Sequence, residues 1–165
     1  MFRSMRRHKQ QLSEEACLEI LKSGKSGVLA LLGDEGYPYA LPLSYAYADG
    51  KIYFHGANTG HKIDAMKAEP RASFCVVGQD EVIPLEYTTS YKSVIAFGKM
   101  SVAEAPQEIR KGLEALAMKY SFQDTPEHRE KVITEASPSL CVFMLTVEGM
   151  TGKAGLMAIQ PQNKG

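Results

Sequence analysis

Large apolar side chains alternate with small or polar ones between positions 37 and 48 of the chain. The alternating residues are Tyr39, Leu41, Leu43, Tyr45 and Tyr47. A period of two is typical of a β-strand, so the pattern predicts one strand over the whole segment. Because Pro38 and Pro42 lack the N–H group that a sheet ladder uses, we expect this strand to lie at an edge or to carry a bulge.

The remaining pattern predicts a strand-rich domain with a few helices. Asp49-Gly50 accepts the positive φ angles of a type I′ turn and leads into the strand 51–55. Other strands are predicted at 28–32, 72–77, 87–102 and 140–147, and helices at 14–23, 61–69, 106–120 and 127–136. About six strands joined by hairpins or one short helix favour an antiparallel barrel over a doubly wound sheet. We therefore expect a mainly β (α+β) single domain over 1–165, with peripheral helices and loosely ordered ends at 1–11 and 154–165.

The composition argues against several classes of binding partner and structural site. The chain of 165 residues carries 19 Lys and Arg against 19 Asp and Glu. That balance argues against a surface that coats nucleic acid or an anionic membrane, but it allows one local cationic site. Cys17, Cys75 and Cys141 form no CxxC pair, which argues against a disulfide framework or a zinc knuckle. With no secretory pattern and no run of about 20 apolar residues, we expect a soluble cytoplasmic protein.

The segment from 52 to 62 is the most informative candidate site. A predicted strand runs into a loop bounded by Gly56 and Gly60, and the loop runs into a helix with Lys62 in its first turn. Backbone N–H groups at a helix start favour an anion, and glycines allow a phosphate to approach closely. Lys62 adds a charge and His55 a further donor. The alternative is that the glycines only turn the chain and Lys62 is a solvated helix lysine.

Two further segments carry polar groups that suit a ligand. Tyr87–Val94 places hydroxyl groups and Lys92 in one predicted strand. These side chains either line a polar cleft that binds a ligand, or lie at a solvent-facing strand edge because Thr and Tyr have high β-propensity. Glu148–Lys153 holds Lys153 between glycines after the last predicted strand, where a plain turn is the alternative. Cys75 lies in an apolar strand, as expected of a packed thiol. The histidines lack the spacing of a metal site, and no Ser-His-Asp pattern is present.

Several of these segments together resemble a known family. They are Met5-Arg6-Arg7, Gly27–Ala30, Tyr37–Tyr45, Ile52–Ala57 with Gly60 and Lys62, Tyr91–Val94, Phe97–Lys99 and Thr151–Lys153. The sequence resembles the pyridoxamine 5′-phosphate oxidase-like, split-barrel FMN-binding proteins, and most of all their 5-nitroimidazole resistance branch. Each segment is weak alone, but the joint pattern is specific and covers nearly the whole chain.

The resemblance implies a six-stranded antiparallel split barrel that forms a homodimer with two FMN molecules at the interface. The cofactor-binding residues that it implies are Pro42, Leu43, Ser44, Tyr45, His55, Gly56, Ala57, Lys62, Tyr91, Lys92, Ser93 and Lys153. His55 would be the catalytic residue, on the substrate side. The implied reaction is the reduction of a nitroaromatic small molecule, with a nicotinamide or another electron donor, and FAD is the alternative cofactor.

Other functions are weighed against this one. A non-catalytic flavin or haem carrier of the same fold would use His55 or His61 to ligate iron. A pyridoxamine phosphate oxidase-like enzyme is less favoured, because the chain ends in Gln160–Gly165 without the Arg-x-His type of motif expected there. Nucleic-acid binding through the basic residues at 3–9 is disfavoured by the charge balance.

Overall fold

The structure, a computed structural model, describes residues 2–136 and 140–159 and contains seven strands in one antiparallel sheet. The strands are β1 Ser26–Leu32, β2 Pro38–Ser44, β3 Ala46–Ala48, β4 Lys51–Gly56, β5 Arg71–Ile83, β6 Thr88–Val102 and β7 Cys141–Ala154. The helices are α1 Glu14–Ser23, α2 His61–Ala68, α3 Pro106–Tyr120, α4 Pro126–Ala136 and α5 Leu156–Ile159. The expected mainly β class with peripheral helices is therefore confirmed, although six strands were predicted and seven are present.

The additional strand comes from the segment 37–48, which was predicted as one strand. Its two parts, β2 and β3, lie at opposite edges of the sheet, whose order is β2-β1-β5-β6-β7-β4-β3. Only Tyr45 separates them, so one residue, which we call the seam, links the two edges of the open sheet. The edge position predicted from Pro38 and Pro42 is confirmed, because β2 pairs with β1 on one side only.

The strand is interrupted at Tyr45, where the side chain packs in the core and the backbone forms hydrogen bonds with a side chain of α3. The ring is fully buried and packs edge-on against Phe74, with the ring centroids 4.8 Å apart. The hydroxyl of Tyr120, at the end of α3, accepts from the Tyr45 N–H at 2.9 Å and lies 2.9 Å from the Tyr45 carbonyl oxygen. It also donates to the carbonyl oxygen of Lys25 at 2.6 Å. At the seam, the phenol of Tyr120 thus supplies the backbone hydrogen bonds that a neighbouring strand would otherwise supply.

Local turn chemistry explains the hairpin that follows the seam. Asp49 and Gly50 have φ angles of 48° and 76°, as the predicted type I′ turn requires. The next strand, β4, pairs with β7 from Lys51 to Gly56. The Asp-Gly prediction is confirmed, because few other residue pairs adopt two successive positive φ angles.

The last strand is much longer than the predicted 140–147. β7 continues to Ala154 and pairs with β6 along most of its length, through a bulge at Phe97/Gly98. A Cβ at position 98 would collide with the carbonyl oxygen of Thr146, so this close approach needs glycine. The Gly-rich stretch 148–153, which was expected to follow the last strand, is therefore part of that strand.

The buried side chains form two clusters. The larger lies inside the curved sheet, where Phe54, Phe74 and Phe143 are fully buried, and α1 covers one side with Leu21. The smaller one packs α3 and α4 against the outside of β4 and β7. No helix in the described ranges is long and apolar enough to cross a membrane.

The two chain ends were predicted to be loosely ordered. At the N-terminal end, Gln10 is buried, and His8–Gln10 forms one turn of 3-10 helix. At the C-terminal end, Ala154 is the last residue of β7 and α5 follows it. Positions 160–165 of the predicted tail lie outside the described residues.

Candidate functional site

The loop between β4 and α2, residues 56–62, has the geometry of an anion receptor, and we call it the phosphate loop. Gly60 caps α2 with a φ angle of 105°, a conformation that favours glycine. Its carbonyl oxygen accepts from the amides of Ile63 and Asp64. The amides of His61 and Lys62 at the helix start have no partner within α2, and the helix dipole adds positive potential there.

Lys62 lies directly beside this loop. Its Nζ would be 3.5 Å from a Cβ built on Gly56, and it lies 6.0 Å from the centroid of the Phe143 ring. The side chain is half-buried, and none of the ion pairs in the described part of the chain includes it. The structure therefore places an uncompensated ammonium group over a glycine backbone, as the phosphate interpretation expects.

The other predicted residues of this loop are open to solvent. His55 is the last residue but one of β4 and pairs with Val142; its side chain is exposed, as is that of Ala57. Within residues 2–136 and 140–159, no hydrogen bond or ion pair involves the imidazole of His55. It is therefore free to meet a ligand beside the loop.

A contact that the sequence pattern did not predict fixes the start of α2. The ring of His61 stacks on Tyr39 of β2, with centroids 4.1 Å apart and planes at 18°. Its Nε2 lies 3.6 Å from Oδ2 of Asp34. Because these residues are far apart in sequence and match no motif, only the fold reveals that the β1–β2 hairpin supports the phosphate loop.

A second set of predicted residues lies at the far end of the sheet. Tyr91, Lys92 and Ser93 are in β6, and Ser93 pairs with Lys153 of β7. The Nζ of Lys153 is 5.4 Å from the centroid of the Tyr91 ring. Neither Lys92 nor Lys153 has an acidic partner among the described side chains. Lys153 was expected beyond the last strand, and its place within β7 is what brings it beside Ser93.

The third set of predicted residues, positions 42–45, lies partly on the surface and partly in the core. Pro42 and Ser44 in β2 are exposed, Leu43 between them is half-buried against the larger cluster, and Tyr45 is fully buried. Burial raises the pKa of the Tyr45 hydroxyl above its ordinary value. Tyr45 was predicted beside a ligand, but its ring packs in the core, so Pro42 and Ser44 offer the accessible side chains.

Pro42 belongs to an uncharged surface on the side of the sheet away from the larger cluster. One row crosses five neighbouring strands through Pro42, Val28, Cys75, Ile95 and Thr151. The next row is Ala40, Ala30, Ser73, Phe97 and Gly149. We call these two rows, together with Val77, the outer face.

Part of the outer face is accessible, although Phe2 stacks on Phe97 of its second row, with ring centroids 5.0 Å apart. Val28, Val77 and Ile95 are 42%, 58% and 36% exposed. Ser44, Ser93 and Lys153 lie at its rim, one row beyond Pro42 and Thr151. A contiguous exposed apolar patch is a feature of interaction surfaces.

The phosphate loop and the pair formed by Ser93 and Lys153 lie at opposite ends of β7. His55 pairs with Val142 and Ser93 pairs with Lys153, so about 36 Å of strand length separates the two pairs along the curved sheet. Ser44, the third rim residue, lies in the same strand as Tyr39, on which His61 of the phosphate loop stacks.

Other chemistries have little support in the described ranges. They contain no group of three His, Cys, Asp or Glu side chains placed to hold a metal ion. The three cysteines are free, and burial raises the pKa of the Cys75 thiol, which disfavours its thiolate form.

Solved structures share this fold. A candidate 5-nitroimidazole antibiotic resistance protein from Bacteroides thetaiotaomicron is 19% identical over 87% of this chain and 86% of its own, with a TM-score of 0.75. An FAD-binding protein from Mesorhizobium loti is 25% identical over 88% of this chain and 97% of its own, with a TM-score of 0.60. An FAD and haem binding protein from Mycobacterium smegmatis is 20% identical over 89% of this chain and 74% of its own, with a TM-score of 0.71.

Sequence comparison identifies the family. No curated protein matches the chain. The sequence profile described as pyridoxamine 5′-phosphate oxidase matches residues 13–154, which include all seven strands, the phosphate loop and the rim residues. The chain therefore belongs to the pyridoxamine 5′-phosphate oxidase family of proteins.

Proposed function

We propose that this protein is a flavin-dependent oxidoreductase that binds FMN and reduces nitroaromatic compounds of the 5-nitroimidazole kind. The observation that carries the proposal is the unpaired Lys62 ammonium beside Gly56 and the open amides of α2. The family match and the names of the similar structures, a nitroimidazole resistance protein and FAD-binding proteins, support the same chemistry.

The residues of the phosphate loop fit the phosphate end of a flavin mononucleotide. Gly56 leaves room for a phosphate oxygen close to the backbone, the amides of His61 and Lys62 donate, and the Lys62 ammonium neutralises charge. When bound, the flavin supplies the electron-transfer chemistry, and the protein contributes binding, orientation and electrostatics. Lys92 or Lys153 would then place a positive charge beside the pyrimidine edge of the ring.

We propose a homodimer because, in one chain, the phosphate loop and the pair of Ser93 and Lys153 lie at opposite ends of β7, about 36 Å apart along the strand. A second copy that packs on the outer face brings its own Ser93 and Lys153 towards the first copy's loop. The uncharged rows through Val28 and Ile95 suit such an interface, since the cores of interfaces are depleted of charge.

His55 is the residue we propose to act on the substrate. Its imidazole is exposed next to Gly56 and makes no hydrogen bond within the described part of the chain, so it is free to donate to a nitro oxygen. An imidazole is the side chain most often used for general acid catalysis. We expect His55→Gln to lower kcat while flavin affinity stays unchanged.

One experiment tests the proposal as a whole. The purified protein is expected to be yellow, to release FMN on denaturation, and to oxidise NADH or NADPH in the presence of a 5-nitroimidazole. Release of FAD instead of FMN would mean that the cofactor is FAD, and the protein would still be a flavin-dependent oxidoreductase. A colourless protein that takes up neither flavin contradicts the proposal. A Soret band after haem addition, lost in His55→Ala, would instead indicate a haem carrier.

A further inference from the structure

A two-stranded hairpin extends beyond the rest of the sheet, and we call its residues 80–90 the ribbon. Within the described ranges, β1 pairs with β5 only at 73–75, and β7 pairs with β6 only from Lys92 onward, so the two strands of the ribbon pair only with each other. At its base, Nε2 of Gln79 donates to Oγ of the buried Ser90 at 3.0 Å. Because a two-stranded hairpin alone is only marginally stable in water, we expect the ribbon to pack on another surface.

The end of the ribbon is apolar and open to solvent. Val82, Leu85 and Tyr87 are 68%, 93% and 99% exposed. Leu85 and Tyr87 are the two most exposed of the large apolar side chains in the described part of the chain. Neighbouring exposed apolar side chains are a feature of surfaces that bind a partner.

The ribbon is also acidic. It carries Asp80, Glu81 and Glu86, and no Lys or Arg occurs between Arg71 and Lys92. The three carboxylates are exposed, and none of the ion pairs among the described residues includes them. A surface that complements the ribbon is therefore apolar at its centre and basic at its border.

The same chain carries a surface of that kind. A depression of about 490 Å³ lies between α5 and residues 3–9, which we call the basic arm. The surface that it exposes is almost entirely apolar, and Leu156 in it is 59% exposed. Long basic side chains cover apolar surface with their stems while their charged ends stay in water. The basic residues of the arm are Arg3, Arg6, Arg7, His8 and Lys9.

The charges of the basic arm are as uncompensated as those of the ribbon. No acidic residue precedes Glu14 in the sequence. The five basic side chains are exposed, and they take part in none of the ion pairs of the described ranges. A chain with no net charge thus carries one acidic and one basic surface, each with exposed apolar side chains.

The ribbon and the depression of one chain are neighbours, but they do not meet. The Gly155 amide donates to the carbonyl oxygen of Tyr91 at 2.8 Å, so α5 begins beside the base of the ribbon. No ribbon residue lines the depression, and Leu85 remains exposed. In a dimer with two-fold symmetry, two complementary surfaces of one chain meet their counterparts on the other copy, and the contact forms twice.

We propose that the ribbon of one copy docks on the basic arm and the depression of a second copy of this chain. Leu85 lies in the depression, and the carboxylates of the ribbon lie against the basic side chains of the arm. Val77 of the outer face precedes the ribbon in β5, so this contact extends the interface proposed there. The inference rests on the homodimer of the proposed function but not on its flavin.

Charge reversal on either surface tests the contact. The ribbon variant is Asp80→Lys/Glu86→Lys, and the arm variant is Arg6→Glu/Arg7→Glu. Each variant brings like charges together twice in its own dimer, so we expect its dimer dissociation constant to rise at least about tenfold. Sedimentation equilibrium of the purified full chain measures the constant. A parent that is monomeric, or a variant that dimerises as tightly as the parent, overturns the proposal.

Mixing the two variants shows whether the contact joins two chains. In a mixed dimer, the lysines of one ribbon meet the glutamates of the other chain's arm, and the native ribbon meets the native arm. We therefore expect a heterodimer with a dissociation constant within about threefold of the parent's. Mixing restores neither an unfolded variant nor a contact within one chain. A mixture that dimerises as weakly as the separate variants overturns the proposal.

Two controls separate this contact from general effects. Glu104→Lys/Glu127→Lys reverses the same number of charges at exposed positions outside the ribbon and should leave the constant unchanged. Leu85→Asn should weaken the dimer, whereas Val132→Asn, at an exposed position of α4, should not. Equal effects of a variant and its control overturn the proposal.

Flavin content, measured in the same samples, distinguishes the two proposals. A colourless protein whose variants form the heterodimer keeps this contact and contradicts the flavin function. A yellow dimer that is insensitive to both charge reversals contradicts this contact and leaves the flavin function in place.

Discussion

At the scale of single residues, the lysines of this protein divide by how their charge is compensated. Lys51 and Lys111 each lie 2.9 Å from a carboxylate oxygen, of Glu108 and Asp49 respectively. Lys62 has no carboxylate partner within the described ranges. Paired lysines stabilise the fold only slightly at the surface, whereas an unpaired ammonium beside open amides is available to a ligand.

The first prediction concerns Lys62. Lys62→Ala should weaken FMN binding by about 1.5–3 kcal/mol, the contribution expected of a charge-assisted hydrogen bond to phosphate. Fluorescence titration of the apoprotein with FMN measures the change. Lys67→Ala is the control, because Lys67 is exposed in the last turn of the same helix. Equal affinity in both variants would remove Lys62 from the site.

Lys119 is an unusual lysine, because its Nζ is buried and has no hydrogen-bond partner among the described residues. Its Nζ lies 3.6 Å from the centroid of the Tyr45 ring. Burial lowers the pKa of Lys119 from 10.5 to about 8, although the contact with the ring favours the charged form and offsets part of that cost. The folded state therefore releases this proton at lower pH than the unfolded state.

The second prediction follows from the sign of that shift. Below pH 8 the ammonium is charged in both states and destabilises the fold, and the penalty fades as pH rises from 8 to 10.5. Lys119→Met should be more stable than the parent by about 1 kcal/mol at pH 7, with a smaller difference at pH 9.5. Urea unfolding at the two pH values measures both numbers. A difference that does not vary with pH would contradict the expectation.

At the scale of elements, the sequence pattern predicts those helices and turns whose ends are set by neighbouring residues. The helix after Ser13 and the Asp49-Gly50 hairpin are confirmed, because a cap and a turn depend on adjacent residues. The sequence pattern predicted one strand where the structure has the two edge strands β2 and β3. The break between them, at Tyr45, depends on the hydroxyl of Tyr120, which is distant in sequence. Among the candidate site residues, the glycine and lysine spacing predicted the loop that brings Lys62 close to Gly56, but the position of Lys153 depends on the pairing of β7 with β6.

The third prediction tests the seam. Tyr120→Phe removes the hydroxyl that accepts from the Tyr45 N–H and donates to Lys25. We expect a loss of about 1–3 kcal/mol in the free energy of unfolding, because partly buried backbone groups lose their partner. Denaturant unfolding measures it. Tyr87→Phe is the matched control, since Tyr87 is 99% exposed and its hydroxyl has no partner in the described part of the chain. A similar change in both variants would show that the seam bonds contribute little.

At the scale of the whole molecule, the uncharged outer face and the divided site lead to the same conclusion. Solvent-facing positions of an isolated sheet are usually polar, yet the row through Val28 and Ile95 carries no charge across five strands. The flavin site that we propose between two chains would account for the uncharged rows and for the position of Ser93 and Lys153 at the far end of β7.

The fourth prediction follows at this scale. Ile95→Asp places a carboxylate in the middle of the outer face and should convert a dimer to a monomer, with loss of bound FMN. Light scattering and the flavin absorbance of the same sample report the two changes. Val132→Asp, at another exposed apolar position on α4, is the control and should change neither. A monomeric parent protein, or a dimeric variant that keeps its flavin, contradicts the interface.

The seam also has a consequence for aggregation. An open sheet normally has two independent edges, and each one is a template on which a foreign strand can add. Here both edges, β2 and β3, are parts of one segment, and a single phenol holds the residue between them. One hydroxyl from α3 therefore holds the single residue between the two edge strands, so a change at Tyr120 would act on the position of both edges at once.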